Sequence, residues 1–220
     1  MSDSQLDPPA PDPTGPDLST GRLEAFSDGV FAIAITLLVL DLVVPPRDER
    51  HGESLAAALG HEWPAYFAYL VSFLVIGIIW VNHHALCGLV RRVDRLTLFA
   101  NLFLLLTVSV IPFPTRLLAE YLTAGADAHT AAAVYSGTML MMAIAFTLLF
   151  LALTRDARAL HRPVDPATAR ATLRRFGAGV ILYALTVGLA FVGAVATLTV
   201  HAALAVYYCF DQLAPARRRR

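Results

Sequence analysis

The sequence has no lysine: all 17 of its basic residues are arginine. It has two cysteines, Cys87 and Cys209, and charged residues make up only 15% of the chain. Two cysteines so far apart cannot build a multiple-disulfide scaffold, and they lack metal-ligand spacing. Both sit in apolar runs and read as buried thiols. Seventeen arginines balance 17 acidic residues, so the formal net charge is zero. This excludes a nucleic-acid binder that relies on net basic charge. A signal peptide is not expected, because residues 1–20 carry four Asp, five Pro and no apolar core. They are expected to form a disordered acidic tail. What is present is apolar: 57% of the residues are hydrophobic, against about 45–50% in soluble domains.

The apolar residues cluster in long runs, which points to a polytopic, all-α membrane protein. A helix needs about 20 apolar residues to cross ~30 Å of hydrocarbon. Six spans are expected, near 25–44, 65–87, 96–117, 131–153, 176–192 and 194–212. The last two share one uncharged run of 35 residues, Phe176 to Phe210, with a turn expected near Gly188 and Gly193. Domain boundaries follow: a tail over 1–20, a six-helix membrane domain over 21–213 and a basic tail over 214–220. The loops are too short for a soluble catalytic domain.

Arginine placement predicts orientation. Fourteen arginines fall on one side of these spans, including Arg91, Arg92, Arg95, the 155–175 loop and Arg217 to Arg220. Three, Arg47, Arg50 and Arg116, fall on the other. The positive-inside rule then places both termini in the cytoplasm, at the plasma membrane. The terminal Arg run is expected to anchor against membrane lipid, with no nucleic-acid role.

The first span differs from the rest. Twelve uncharged residues separate Asp28 from Asp41, about 18 Å of helix at ~1.5 Å per residue. Carboxylates are costly against lipid, so protein or water must surround this helix. At ~100° per residue, Ile33, Thr36, Leu37 and Leu40 share a face, which Phe26 and Gly29 continue. Asp28 points about 130° away from that face and Asp41 about 90°. Periodicity by itself favours ordinary core packing over a pore stripe, because apolar stripes on helices usually face a core.

Residues 22–29 read Arg-Leu-Glu-Ala-Phe-Ser-Asp-Gly. This resembles the RxxxFSDG signature that opens the first helix of the lysosomal-type potassium channel (transmembrane protein 175) family, in its single-repeat prokaryotic branch. Arg22, Phe26, Ser27, Asp28 and Gly29 stand at the signature positions. The Trp80-Val-Asn-His-His84 and Pro112-Phe-Pro114 stretches support the likeness. The resemblance implies a homotetrameric cation channel that favours K+ over Na+, with the first helix lining a central pore and without a TVGYG filter. It further implies an apolar constriction at Ile33, extended by Leu37 and Leu40, with Thr36 as a hydroxyl layer. Four Ile33 side chains around one axis would make a dewetted neck. Potassium sheds hydration more readily than sodium, so modest selectivity is expected. Asp41 is either an outer-mouth cation attractor or a solvated interfacial carboxylate.

The resemblance also assigns Arg22, Ser27 and Asp28 to a structural polar network. His83, His84 and Asn101 join it by type and depth. His83, His84, Asn101, or Arg22 of a neighbouring copy are the expected partners of Asp28. His51, His61, His129 and His161 are expected in loops. No cofactor is expected, and the implied partners are further copies of the chain, permeant monovalent cations and lipid.

Two other classes compete. A membrane metalloenzyme would need converging ligands, yet adjacent His83 and His84 point about 100° apart on a helix, and HExxH and GxSxG are absent. A secondary transporter would need midplane charge and internal repeats, and the midplane positions are nearly all apolar.

Overall fold

The computed structural model describes residues 20–46, 52–161 and 164–213, with side chains to Phe210. Of the tails expected over 1–20 and 214–220, only Thr20, which opens the first helix, is described, and Arg47, Arg50, His51 and Arg162 also lie outside the described residues. The described chain is all helical, apart from one isolated antiparallel bridge between Val90 and Leu160. Eight α-helices follow in order: α1 (Thr20–Leu37), α2 (Leu55–His61), α3 (Trp63–Cys87), α4 (Arg95–Val110), α5 (Pro112–Tyr121), α6 (Ala126–Thr154), α7 (Pro166–Ala190) and α8 (Ala194–Leu213).

Local chemistry sets the ends. The Asp94 carboxylate accepts the Thr97 backbone N–H at 2.8 Å and caps α4. Asp165 caps α7 through the Thr168 N–H at 2.9 Å, with Pro166 in the first turn. Both carboxyls are held below the usual carboxylate range, chiefly by these backbone bonds. Pro112 and Pro114 supply no N–H, so the third span breaks at Ile111 into α4 and α5. Gly125, at φ 64, turns the chain into α6 in a conformation that side chains with a Cβ avoid.

Among the described residues, five segments are long and apolar enough to cross a membrane: Thr20–Asp41, Trp63–Cys87, Arg95–Tyr121, Ala126–Thr154 and Pro166–Ala190. A shorter apolar stretch, Ala194–Phe210, follows the turn at Phe191–Gly193. Gly193 lies in that turn, whereas Gly188 lies inside α7. Two helices run longer than their apolar cores predict. α7 begins at Pro166 rather than near 176, because the capped segment before Phe176 is helical though polar. α6 begins at Ala126, so His129 is a helix residue rather than a loop residue. Its ring Nδ1 lies 2.7 Å from the Ala190 carbonyl.

α6 is the central pillar. Tyr135, Met139, Met142, Ala145 and Leu149 are buried along it, and α4, α5, α7 and α8 surround it. Hydroxyl pairs knit the interior: Ser72 meets Thr115 at 2.7 Å and Tyr135 at 3.0 Å. α1 lies at the side, against α3 and α4. At the arginine-rich end the two connecting loops pair, with Arg91 N–H on the Ala159 carbonyl at 2.8 Å and His161 N–H on Leu89 at 3.0 Å.

Candidate functional site

α1 has two unlike sides. Ser27, Phe31, Ala34 and Leu38 are spaced to share one side, and they are buried against α3 and α4. Phe31, Ala34 and Leu38 retain only 2%, 1% and 0% exposure. The other side carries Phe26, Gly29, Ile33, Thr36, Leu37 and Leu40, all exposed in the protomer. Ile33 is 61% exposed, Leu37 43% and Leu40 74%. The α-helix tightens into a 3₁₀ turn over Leu38–Asp41. Residues three apart eclipse in that geometry, so Leu40 lies over Leu37 and the stripe continues to the end of the span. The Thr36 hydroxyl points its proton inward, to the Ala32 and Ile33 carbonyls at 2.8 and 3.0 Å. Its oxygen keeps acceptor capacity on the exposed side. Asp41 is half-buried and lies in the field of Arg116 on α5.

A polar chain fixes how α1 is rotated. The Ser27 hydroxyl donates to the Leu23 carbonyl at 2.8 Å and accepts from Asn101 Nδ2 at 3.0 Å. Asn101 Oδ1 meets His83 Nε2 at 2.8 Å. The Asn oxygen can only accept, so His83 carries its proton on Nε2 in this arrangement. Ser27, Asn101 and His83 are all fully buried. The Phe31 ring covers His83 at 5.4 Å between centroids, and the Cys87 thiol lies 3.7 Å from its Nδ1. A buried polar link of this kind is costly to break, because each group would lose its partner without gaining water.

Asp28 belongs to a separate contact. Its carboxylate accepts the Trp80 indole N–H at 2.8 Å. The partners expected from within the chain, His83, His84 and Asn101, are therefore corrected to Trp80. His83 is turned into the core, and His84 Nδ1 lies 2.7 Å from Glu24. The two histidines diverge because adjacent helix positions do. Arg22 is exposed and joins neither set within the protomer. Trp80 and Glu24 are the residues that sequence reasoning missed. Trp80, His83, His84 and Cys87 fall at i, i+3, i+4 and i+7 on α3, a spacing that could have marked the whole edge facing α1. Among the described residues, no group of three or more His, Cys, Asp or Glu side chains converges as metal ligands would.

Comparison with known proteins agrees with this architecture. A family profile described as endosomal/lysosomal potassium channel TMEM175 matches residues 22–112. A potassium channel of Streptomyces collinus is 55% identical over 194 residues, covering 88% of this chain and 93% of that one. One from Chamaesiphon minutus is 42% identical over 189 residues, or 86% and 93% of the two chains. The crystal structure of a lysosomal potassium-selective channel TMEM175 homolog from Chamaesiphon minutus superposes with a TM-score of 0.79 at 40% identity, covering 89% of this chain and 98% of that one. These relatives are channels rather than enzymes. With such likeness along nearly its whole length, the chain belongs to the TMEM175 channel family.

Proposed function

We propose that the chain is one subunit of a plasma-membrane potassium channel with modest preference over sodium, in which four copies of α1 surround a central pore. The observation that carries the reading is the contrast between the two sides of α1. Its inner side is pinned by the Ser27–Asn101–His83 chain, while Ile33, Leu37 and Leu40 are left bare. One helix cannot enclose a path, whereas a ring of identical subunits can. Arranged about an axis, four Ile33 side chains form a neck that excludes water when narrow. An ion passing a wider neck must shed part of its hydration, which favours potassium over sodium. Thr36 oxygens, their protons committed to the backbone, replace some of the lost water. The Asp41 carboxylates raise cation concentration at the mouth, less so for the nearby Arg116.

The apolar stretch of α8, Ala194–Phe210, spans about 25 Å at ~1.5 Å per residue, close to a bilayer core. It serves as a sixth, short crossing, so both termini face the cytoplasm with most of the arginines. Residues 21–213 form the channel domain, flanked by the two tails, and the resident chemistry needs no cofactor. Names of the relatives support potassium as the permeant ion. The test is planar-bilayer recording of purified protein under potassium and sodium gradients, with Ile33→Asn alongside. A polar neck should wet, raising current and lowering the potassium preference. An unchanged current–voltage relation would place the constriction elsewhere.

A further inference from the structure

Two neighbouring hollows at the arginine-rich end differ sharply in chemistry. The first is a polar cup between the α3–α4 loop and the end of α6. It holds about 370 Å³ of water-accessible space and is lined by Arg92, Arg155 and Arg158 together with Asp94 and Asp156. Both carboxylates are engaged: Asp94 by the Thr97 N–H and the Arg155 guanidinium, Asp156 by the Arg158 N–H. Arg155 is taken up by Asp94, whereas among the described residues the Arg158 guanidinium meets no carboxylate, so its charge is left uncompensated in the cup.

The second hollow is an apolar groove between α4 and α6, lined by Leu96, Phe99, Phe103, Leu148 and Leu151. Arg155 and Ala152 line both hollows, so the cup and the groove adjoin. From Leu96 to Phe103 the groove descends about 10 Å along α4, within a leaflet about 15 Å thick. It starts where α4 begins and α6 ends, which is the depth at which headgroup gives way to acyl chain.

We propose that the cup and groove together bind one anionic phospholipid, its phosphate on the Arg158 guanidinium and one acyl chain against Phe99 and Leu151. A positive, hydrogen-bond-donating cup at the bilayer edge suits a phosphodiester. A neutral headgroup would gain less from it. The groove suits a hydrocarbon chain already present in the leaflet. The site rests on the chain being embedded in a bilayer and is independent of which helix lines the ion path.

Phe99→Trp places a fluorophore in the groove, with wild type measured in parallel to subtract Trp63 and Trp80. The protein is reconstituted into dioleoyl phosphatidylcholine vesicles doped with brominated phosphatidylglycerol or brominated phosphatidylcholine. Brominated phosphatidylglycerol should quench with a relative binding constant about fivefold greater, the effect of roughly one surface arginine. Adding Arg158→Glu, or the milder Arg158→Gln, should bring the ratio close to one. A ratio near one without these changes, or a preference that survives them, overturns the site. So does absence of quenching by either lipid, which would mean that another copy covers the groove. Millimolar inorganic phosphate should leave the ratio unchanged; if it abolished the preference, the cup would be a free-anion site and the two-part reading would fail. Potassium flux from the same vesicles separates the two claims. Flux without lipid preference discards the lipid site alone, and lipid preference without flux leaves it standing.

Discussion

At the residue scale, the account turns on Asp28 and its near neighbour Ser27. They are adjacent in sequence yet belong to different contacts. Ser27 is sealed in the core with Asn101 and His83, whereas Asp28, only partly buried, meets Trp80 on the flank of α1. The two bonds hold α1 against two helices, so its rotation has little freedom. Asp28→Ala should cost assembly, seen as loss of the peak expected for the proposed tetramer in size exclusion with light scattering. Trp80→Phe removes the same hydrogen bond and keeps most of the packing. It should lower assembled yield in the same direction but to a smaller extent. Full assembly of Asp28→Ala with altered ion preference would mean that this carboxylate acts on the ion rather than on the helices. Asn101→Leu should be the more damaging change to stability, by about 1–3 kcal/mol, since it leaves the buried His83 Nε2–H without its acceptor and removes the donor to Ser27. Thermal unfolding in detergent measures it.

At the element scale, helix ends matter as much as apolar runs. Asp94 caps α4 and also pairs with Arg155 at the end of α6, so one carboxylate ties two spans together. Asp94→Ala should lower stability by about 1 kcal/mol through the lost cap; the exposed ion pair adds little. The pH dependence has a definite sign. The folded carboxyl titrates below its unfolded value, held there first by the Thr97 N–H. Its contribution is therefore complete above the unfolded pKa of about 3.9 and disappears as pH falls through the folded value. Melting temperature followed from neutral to acid pH should show a steeper acid limb in wild type than in Asp94→Ala. Equal slopes would mean that the cap contributes nothing.

The spans were legible because about 20 consecutive apolar residues leave few alternatives to a crossing helix. The break at Ile111 was written in Pro112 and Pro114. The early start of α7 was hidden because its first turns are polar; there the signal was the Asp165-Pro166 cap rather than hydropathy. The two sides of α1 could be read from spacing, as could the divergence of His83 and His84. The pairing of Asp28 with Trp80 could not. It depends on how α1 crosses α3, and periodicity along one helix says nothing about which residue of another stands opposite.

At the scale of the whole molecule, the buried bundle around α6 is a scaffold, and α1 is the element carried at its edge. A scaffold that buries one side of α1 and leaves Ile33, Leu37 and Leu40 uncovered makes functional sense when further copies complete the enclosure. The most direct measurement is cysteine accessibility along α1. Cys87 and Cys209 are first replaced by serine or alanine, in whichever form retains current. Single cysteines are then placed at Phe31, Ile33, Ala34, Leu37 and Leu40, and potassium current is recorded while silver ion is applied. The account predicts rapid, irreversible block of Ile33→Cys, Leu37→Cys and Leu40→Cys, with Phe31→Cys and Ala34→Cys spared. Block of the Phe31 and Ala34 variants, with the Ile33 variant indifferent to silver, would contradict it.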